Sequence, residues 1–280
     1  NPMRVTAERA SGSLFLFPIS NEHDTDMQII IADAKVMRDE VNGVSAPFTS
    51  TPEFLNEASD IAREMANMDE EEIRKSFHCS HAIANENIQR FRSFDISPLV
   101  PAVLAFYGHA YKYLKAECFS GDDFRFAQTH LSIMSFMYGL LRPLDLIHLY
   151  RMPANMKLDY TRGMTLQKWW RNKVTDALID RVKADDGILV DLSTTEFELM
   201  CDWKRVEKEV TVIKPLFLID NGMEYKNVAI YSKECRGAMS RFIITSRLSS
   251  PEEMRAFSID NFLYMDNLGD YNHPHFVRIG

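Results

Sequence analysis

The sequence lacks the signatures of the commonest enzyme classes. It contains no G-x-G-x-x-G or G-x-x-x-x-G-K-[ST] nucleotide fingerprint, no G-x-S-x-G elbow and no H-E-x-x-H zinc motif. Its four cysteines form no C-x-x-C pair, which excludes a zinc ribbon and a dithiol redox motif. We therefore expect reduced thiols, a cytoplasmic location and no cofactor.

Long apolar runs, linkers, low-complexity segments and fixed-period repeats are also absent. The apolar run at residues 14–19 is broken by Pro18 and is too short for a membrane span. With 280 residues and 46% apolar content, the chain can bury a large core, so we expect one compact domain over residues 27–280 and no membrane association. Residues 1–26, which begin with Asn1, are expected to be an N-terminal extension or a segment added by cloning, and no functional prediction rests on them.

Net charge limits the kind of partner. Forty acidic and 32 basic residues give a formal charge of −8, which excludes a protein that coats nucleic acid by bulk charge. Any nucleic-acid site must therefore be a local basic patch.

Strand and helix patterns alternate irregularly along the chain. A β-branched run at residues 27–32 predicts a buried strand, with Asp33 and Lys35 at the end where open α/β sheets hold functional groups. Helical patterns then run from Thr51-Pro52 to about residue 130, with a capping-box start at Ser120 and Asp123, and over residues 166–182. Strands return at 188–192, and two more, at 210–219 and 223–231, flank an Asn221-Gly222 hairpin. We expect an α+β or mixed α/β fold with a mixed sheet, several helices, and a C-terminal β-hairpin followed by helices.

The densest cluster of soft metal ligands is His78-Cys79-x-His81. If this segment is helical, Cys79 points away from the two histidines, and no fourth ligand is near in sequence. The sequence also carries no pair of carboxylate-x-x-His motifs of the ferritin type, so we expect no metal site and at most an indirect effect on iron.

Residues 131–151, LSIMSFMYGLLRPLDLIHLYR, place charges inside an apolar stretch. Pro143 suits the first position of a short helix, and Asp145 would then favour the N-terminus of that helix. A structural role is open, in which Asp145 caps and Arg142 pairs with it. The alternative is an apolar wall that holds Arg142, Asp145 and Arg151 for function.

The segment YSKECRGAMSRFI at residues 231–243 predicts a helix with a cationic face. Lys233, Gly237 and Arg241 fall on one stripe, with Arg236 beside it. Because glycine costs about 1 kcal/mol in a helix, something must approach the backbone at Gly237, either a phosphate or a packed neighbouring segment.

From Met27 onward the chain resembles the YaaA family of bacterial peroxide stress proteins. The blocks that carry the resemblance occur in the family's order, and they are MQIIIADAK, AFYGHAYKYLKAECFSGDDFRFAQTHL, MYGLLRPLDLIHLYR, ILVDLSTTEF and YSKECRGAMSRFI.

The resemblance implies a role in the hydrogen peroxide response and in keeping free iron low. It also implies DNA binding through a basic cleft and an element similar to a helix-hairpin-helix, here reduced to Gly139-Leu140-Leu141. The polar residues that match the family, which we expect to converge on one cleft, are Lys35, Arg142, Asp145, Tyr150, Arg151, Glu196, Lys233, Arg236, Gly237 and Arg241.

The chain departs from the family pattern in four places. The family's S-P-A-K is Ala32-Asp33-Ala34-Lys35, and its F-K-G-D is the segment FYGH at residues 106–109. Its L-E-M-G is MPAN at residues 152–155, and its E-Y-x-K-x-V becomes EFELM from Glu196. These losses put a shared reaction in doubt and should weaken a basic cleft.

Three functions remain open, and the sequence favours binding over catalysis. The first is DNA-backbone binding by Arg142, Arg151, Lys233, Arg236, Gly237 and Arg241, with Tyr150 as support. The second is an enzyme for a small anionic or nucleotide-like substrate, with Lys35 as base or nucleophile and Asp145 or Glu196 as acid or base. The third is a paralogue that has kept the fold and lost the activity. The sequence does not indicate an oligomeric state.

Overall fold

The computed structural model describes residues 26–39 and 43–279. The predicted extension therefore lies outside the described residues, apart from Asp26. Within the described ranges, the α-helices are α1 (Leu55–Ala66), α2 (Glu70–Phe77), α3 (His81–Arg92), α4 (Ala102–Ala105), α5 (His109–Leu114), α6 (Gly121–His130), α7 (Leu166–Lys183), α8 (Trp203–Glu209) and α9 (Ala229–Ser246). Short 3₁₀-helices occupy Ala116–Cys118, Thr195–Met200 and Pro251–Ala256.

In the described part of the chain, the strands form two five-stranded sheets and one small ribbon. Their bounds are β1 (Gln28–Ala32), β2 (Val100–Pro101), β3 (Leu131–Ser135), β4 (Gly139–Leu141), β5 (Leu146–Ile147), β6 (Ile188–Leu192), β7 (Thr211–Ile213), β8 (Leu216–Asp220), β9 (Tyr225–Lys226), β10 (Ser258–Ile259), β11 (Phe262–Gly269) and β12 (Pro274–Ile279). The mixed α/β class predicted from the sequence is confirmed.

The first sheet has the strand order β4-β3-β1-β6-β7, with β1 parallel to both β3 and β6. All five residues of β1 are buried, which agrees with its continuous β-branched run. Strands that follow β1 lie first on one side of it and later on the other. Such a reversal leaves a crevice at the carboxyl ends of the central strands, and ligands of open α/β sheets bind there.

The second sheet has the order β10-β11-β12-β8-β9. The predicted hairpin at Asn221-Gly222 is confirmed, because β8 and β9 pair antiparallel on either side of it. The single strand predicted at residues 210–219, before that hairpin, is instead two strands. Its first part, β7, joins the first sheet, and β8 joins the second beyond Lys214-Pro215.

Two predicted helix starts are wrong. Thr51 and Pro52 do not begin α1, which starts at Leu55, because the backbone of the preceding Ser50 hydrogen-bonds Leu144 and Leu146. Pro143 likewise starts no helix: it lies in a turn between β4 and β5, where the amide of Asp145 donates to the carbonyl of Arg142.

The other predicted helices are present. Ser120 and Asp123 form a capping box at the start of α6, and the helix predicted at 166–182 is α7. Among the described residues, none of the helices has the length and apolar character needed to cross a membrane.

Candidate functional site

A cavity of about 240 Å³ opens at the carboxyl ends of β1, β3 and β6. The loop after β1 forms one side, and the 3₁₀-helix Thr195–Met200 after β6 forms another. The N-terminal turn of α5 and the middle of α9 complete the wall. The site therefore lies in the crevice that the strand order creates.

Asp33 lies in this wall immediately after β1. The hydroxyl of Tyr150 donates a 2.7 Å hydrogen bond to its Oδ2. Burial raises the pKa of Asp33 to about 7, and the Glu196 carboxylate acts in the same direction, whereas the Tyr150 hydrogen bond and Lys35 oppose the rise. The carboxyl therefore exchanges protons near neutral pH.

A hydrogen-bonded chain supports that carboxyl from behind. Ser135 Oγ, at the end of β3, accepts from the amides of Met137 and Tyr138 and lies 2.6 Å from the Tyr150 hydroxyl. Since the Tyr150 hydrogen points to Asp33, Ser135 donates its own hydrogen to Tyr150. Burial also raises the pKa of Tyr150 well above its usual value, so this phenol remains a donor.

Among the residues that the structure describes, Lys35, Lys233 and Arg236 are the lysine and arginine side chains that line the cavity, and they differ in their partners. Lys35 Nζ is 3.6 Å from Glu196 Oε1, with side chains 58% and 44% exposed. Within the described residues, neither Lys233 nor the guanidinium of Arg236 forms an ion pair or a side-chain hydrogen bond. Burial lowers the pKa of Arg236, against the longer-range attraction of Asp191. Arg236 is therefore a half-buried cation without a contacting anion.

The Lys35–Glu196 pair places two predicted site residues together, and Tyr150 reaches the same cavity through Asp33. Five of the ten predicted residues thus belong to one site. They are Lys35, Tyr150, Glu196, Lys233 and Arg236. The remaining five lie elsewhere or have other contacts.

Arg142 and Asp145 form an internal pair away from the residues that line the cavity. Asp145 is fully buried and accepts from the backbone amide of Arg142 at 2.8 Å and from its guanidinium at 3.0 Å. Ser50 Oγ donates to the same carboxylate at 2.7 Å. A structural role, in which Arg142 pairs with Asp145, therefore accounts for both residues. Arg142 is not among the residues that line the cavity.

The Gly139-Leu140-Leu141 segment forms strand β4, paired antiparallel with β3. It is not a turn between two helices, because its backbone groups are used in the sheet. The interpretation of this segment as the hairpin of a helix-hairpin-helix is therefore wrong.

Arg241 closes the end of α5. Its guanidinium donates to the carbonyls of Leu114 at 3.3 Å and Lys115 at 3.0 Å, and it lies 5.6 Å from the ring centre of Phe119. It borders a separate surface depression with Phe242 and Thr245. Arg151 is half-buried next to Tyr150 and does not line the cavity.

Gly237 is required for packing. A Cβ atom at this position would lie 1.8 Å from the carbonyl oxygen of Ala110 in α5. Of the two explanations for this glycine, the structure shows the packed neighbouring segment. Gly237 therefore presents no free backbone to a ligand.

The sequence-based selection missed several residues of the site. Asp33 was noted only as a polar residue at a strand end, because its partner Tyr150 is 117 positions away. Tyr111, whose hydroxyl donates to the carbonyl of Ala32 at 3.0 Å, carries no polar pattern that would single it out. Phe136 and Phe197 look like ordinary core residues in the sequence, yet both line the cavity.

His78, Cys79 and His81 do not share one helix. His78 ends α2 in a left-handed conformation, and His81 begins α3. The ring of His81 contacts Glu70 at 2.5 Å. The helical geometry assumed for this cluster is therefore wrong.

The strand order and the cavity define a mixed α/β protein with a charged crevice at the carboxyl edge of a mostly parallel sheet. The family model described as peroxide stress protein YaaA matches residues 27–268, and the chain belongs to this family.

Relatives of similar length support this membership. A UPF0246 protein of Bacteroides thetaiotaomicron is 37% identical over 246 residues, covering 87% of this chain and 95% of the relative. Another UPF0246 protein, from Phocaeicola vulgatus, is 39% identical over 240 residues, covering 85% of this chain and 94% of the relative. A third, from Porphyromonas gingivalis, is 37% identical over 234 residues, covering 82% and 91% respectively.

Proposed function

We propose that this protein serves the peroxide stress response by binding a small phosphate-bearing ligand in the cavity after β1. The observation that carries the proposal is Arg236, a half-buried guanidinium that lines the cavity and contacts no carboxylate among the described residues. The family's description as a peroxide stress protein supports the physiological setting. We include in the proposal a role in limiting damage by free iron, which the resemblance to the family implies.

Physical chemistry favours an anion at this place. A buried charge without a partner is costly, and an incoming anion removes that cost. Guanidinium groups bind phosphate with two parallel charge-assisted hydrogen bonds, and Lys233 on the same helix adds a second positive charge at the mouth. The cavity is too small for a duplex and suits a single small molecule.

Thermal unfolding with inorganic phosphate and with ribose 5-phosphate tests this proposal. A ligand that binds only the folded state raises the melting temperature in a concentration-dependent manner. We expect Arg236→Gln to weaken binding at least about tenfold. Arg255→Gln is the matched control, because it removes the same charge from an exposed residue that does not line the cavity. Equal loss in both variants, or no stabilisation of the unmutated protein, would contradict the proposal.

The proposed role in the peroxide stress response is tested by genetic complementation. In a strain that lacks the gene, the unmutated gene should restore survival in hydrogen peroxide. Arg236→Gln should restore less, at equal protein abundance. Full rescue by Arg236→Gln would separate the stress role from this cavity.

An enzymatic use of the same site is supported by Asp33. A carboxyl that titrates near pH 7 is suited to general acid or base catalysis, and it lies beside the cationic residues that would hold an anionic substrate. Turnover of a phosphate ester that is lost in Asp33→Asn, with binding retained, would favour this use over binding alone.

DNA binding is the second candidate function. The observation that favours it is that Lys35 and Lys233 are exposed at the mouth and Arg151 is half-buried without an ion pair among the described residues. Arg142 and Arg241 already donate to internal acceptors, which weakens this candidate. A salt titration with a short duplex is the test: Lys233→Ala should reduce the log-log slope by about 1, and absence of salt-dependent binding would exclude DNA.

A further inference from the structure

The inner part of the cavity differs in chemistry from its mouth. Phe136 and Phe197 stack with ring centres 4.2 Å apart and an interplanar angle of 13°, and both line the cavity with Ile31 and Leu192. Two carboxyls line the described cavity, and they differ: Glu196 is 44% exposed and pairs with Lys35, whereas Asp33 is the more buried of the two. A ligand that enters past the cations therefore meets aromatic and aliphatic surface together with the Asp33 carboxyl.

The charge at the mouth restricts what can reach that carboxyl. Lys35 is paired with Glu196, whereas Lys233 and Arg236 line the cavity without an ion pair among the described residues, so these two positive charges would repel an aliphatic ammonium. A neutral group that donates N–H hydrogen bonds meets no such repulsion. Flat heterocycles with ring N–H and amino groups combine neutral donors with faces that pack on aromatic side chains.

The Tyr150 hydrogen bond fixes the orientation of the carboxyl. Since the phenol donates to Oδ2, and Ser135 holds the phenol, the carboxyl plane is held by two buried hydroxyls. An ionised carboxylate can accept two N–H groups from adjacent positions on a base edge.

We propose that the inner cavity recognises a nucleobase whose edge carries adjacent N–H donors, as in guanine, while its phosphate group is held at the mouth by Arg236 and Lys233. This proposal rests on the proposed function, since it assigns the rest of the phosphate-bearing ligand. The ligand class is accordingly a purine nucleoside monophosphate of the guanine type.

Comparative calorimetry with GMP, AMP and ribose 5-phosphate tests the assignment on the unmutated protein. A well-placed bidentate contact discriminates between bases by roughly ten- to a hundred-fold, so GMP should bind at least tenfold more tightly than the other two. Equal binding of GMP and ribose 5-phosphate, or AMP at least as tight as GMP, would overturn this inference and leave the phosphate site intact. Absence of binding by all three would instead overturn the proposed function.

The same calorimetry on the variant Asp33→Asn provides a second test. An asparagine amide presents an NH₂ donor group in place of one carboxylate oxygen, so one of the two acceptors for the base edge is lost. GMP should therefore lose its advantage while ribose 5-phosphate binds as before. An unchanged preference for GMP in this variant would show that Asp33 does not contact the base. The comparison within the unmutated protein stands even if the variant folds poorly.

The pH dependence gives a third readout. The titratable and charged groups that face Asp33 or line the same cavity in the described chain are Tyr150, Lys35, Glu196, Tyr111, His109, Lys233 and Arg236, and Ser135 hydrogen-bonds Tyr150. Because the base edge requires the ionised carboxylate, GMP affinity should fall as the pH is lowered through about 7. Ribose 5-phosphate controls for titration of the phosphate itself. A GMP-to-ribose 5-phosphate ratio that stays constant between pH 6 and pH 8 (roughly one pKa unit to either side of the Asp33 value) would contradict the contact.

Discussion

Tyr150 and Asp33 are joined by a 2.7 Å hydrogen bond across 117 positions of sequence. The bond connects the end of β1 to the end of the apolar segment at residues 131–151, and it holds the Asp33 carboxyl in the wall of the cavity. Its consequences can be measured without any ligand.

Removal of the Tyr150 hydroxyl should raise the pKa of Asp33 above about 7. The hydrogen bond stabilises the ionised carboxylate, so Tyr150→Phe removes an interaction that lowers the pKa. The carboxyl stretch in infrared spectra, followed against pH, reports this value. Tyr264→Phe, in the second sheet, is the matched control and should leave the titration unchanged. No shift in Tyr150→Phe would show that the bond does not act on the charge.

Asp33→Asn should remove part of the pH dependence of stability. The folded-state pKa is raised from 3.8 to about 7, so the folded protein holds a proton that the unfolded chain releases, and stability falls as pH rises through this interval. Each pKa unit corresponds to about 1.4 kcal/mol, so the variant should gain up to a few kcal/mol relative to the unmutated protein at pH 8. Urea unfolding at pH 5 and pH 8 measures the difference. A stability gain that is the same at both values would indicate another cause.

Arg142→Ala should destabilise the fold by about 3–5 kcal/mol without changing phosphate binding. The substitution leaves the fully buried Asp145 carboxylate without its guanidinium partner. Arg125→Ala breaks an exposed pair with Asp122 at the same sequence spacing and should cost about 1 kcal/mol or less. Chemical denaturation of both variants provides the comparison, and weaker ligand binding in a folded Arg142→Ala would place this residue in the site after all.

Gly237→Ala should destabilise the protein, although alanine is the better helix former. The added methyl group would meet the Ala110 carbonyl at 1.8 Å, and overpacking of this kind costs about 1–3 kcal/mol or more. Gly121→Ala is the control in α6, where the nearest atom would be at an ordinary 3.5 Å and the change should be neutral or stabilising by up to about 1 kcal/mol. Equal melting temperatures for the two variants would contradict the close approach of α5 and α9.

Local patterns predicted the elements whose sequence signals have a single interpretation. The β-branched run of β1, the capping box of Ser120 and Asp123, and the Asn221-Gly222 hairpin are of this kind. Pro143 is different, because proline suits the first turn of a helix and the second position of a turn equally well. The choice is made by contacts with Ser50, 95 positions before Asp145: its hydroxyl donates to the Asp145 carboxylate, and its backbone pairs with Leu144 and Leu146.

Of the second sheet, only the β8–β9 hairpin was predicted, because its other strands pair with segments that are distant in sequence or lack a clear strand pattern. Strand β12 pairs in parallel with β8, more than fifty residues earlier, and its partner β11 carries exposed polar residues such as Asp266 and Asn267. Neither strand has a clean alternation of buried and exposed residues.

The candidate site was predicted in part. Lys233 and Arg236 share a helix face that the sequence displays, and Lys35 follows a recognisable strand. Arg142 and Arg241 are equally basic in the sequence, but internal carboxylate and carbonyl acceptors occupy them. Whether a guanidinium is free or engaged depends on such tertiary contacts, which residue type and spacing do not determine.

The contact between Gly237 and Ala110 also affects which ligands can enter the cavity. Residues on α5 and α9 border its entrance, and at Gly237 these helices meet backbone to backbone, with no side chain between them that could change rotamer. The wall of the cavity on this side is therefore held at a fixed distance between the two helix backbones. We expect this rigid wall to select ligands by their size, in addition to the selection by charge at the cationic side chains.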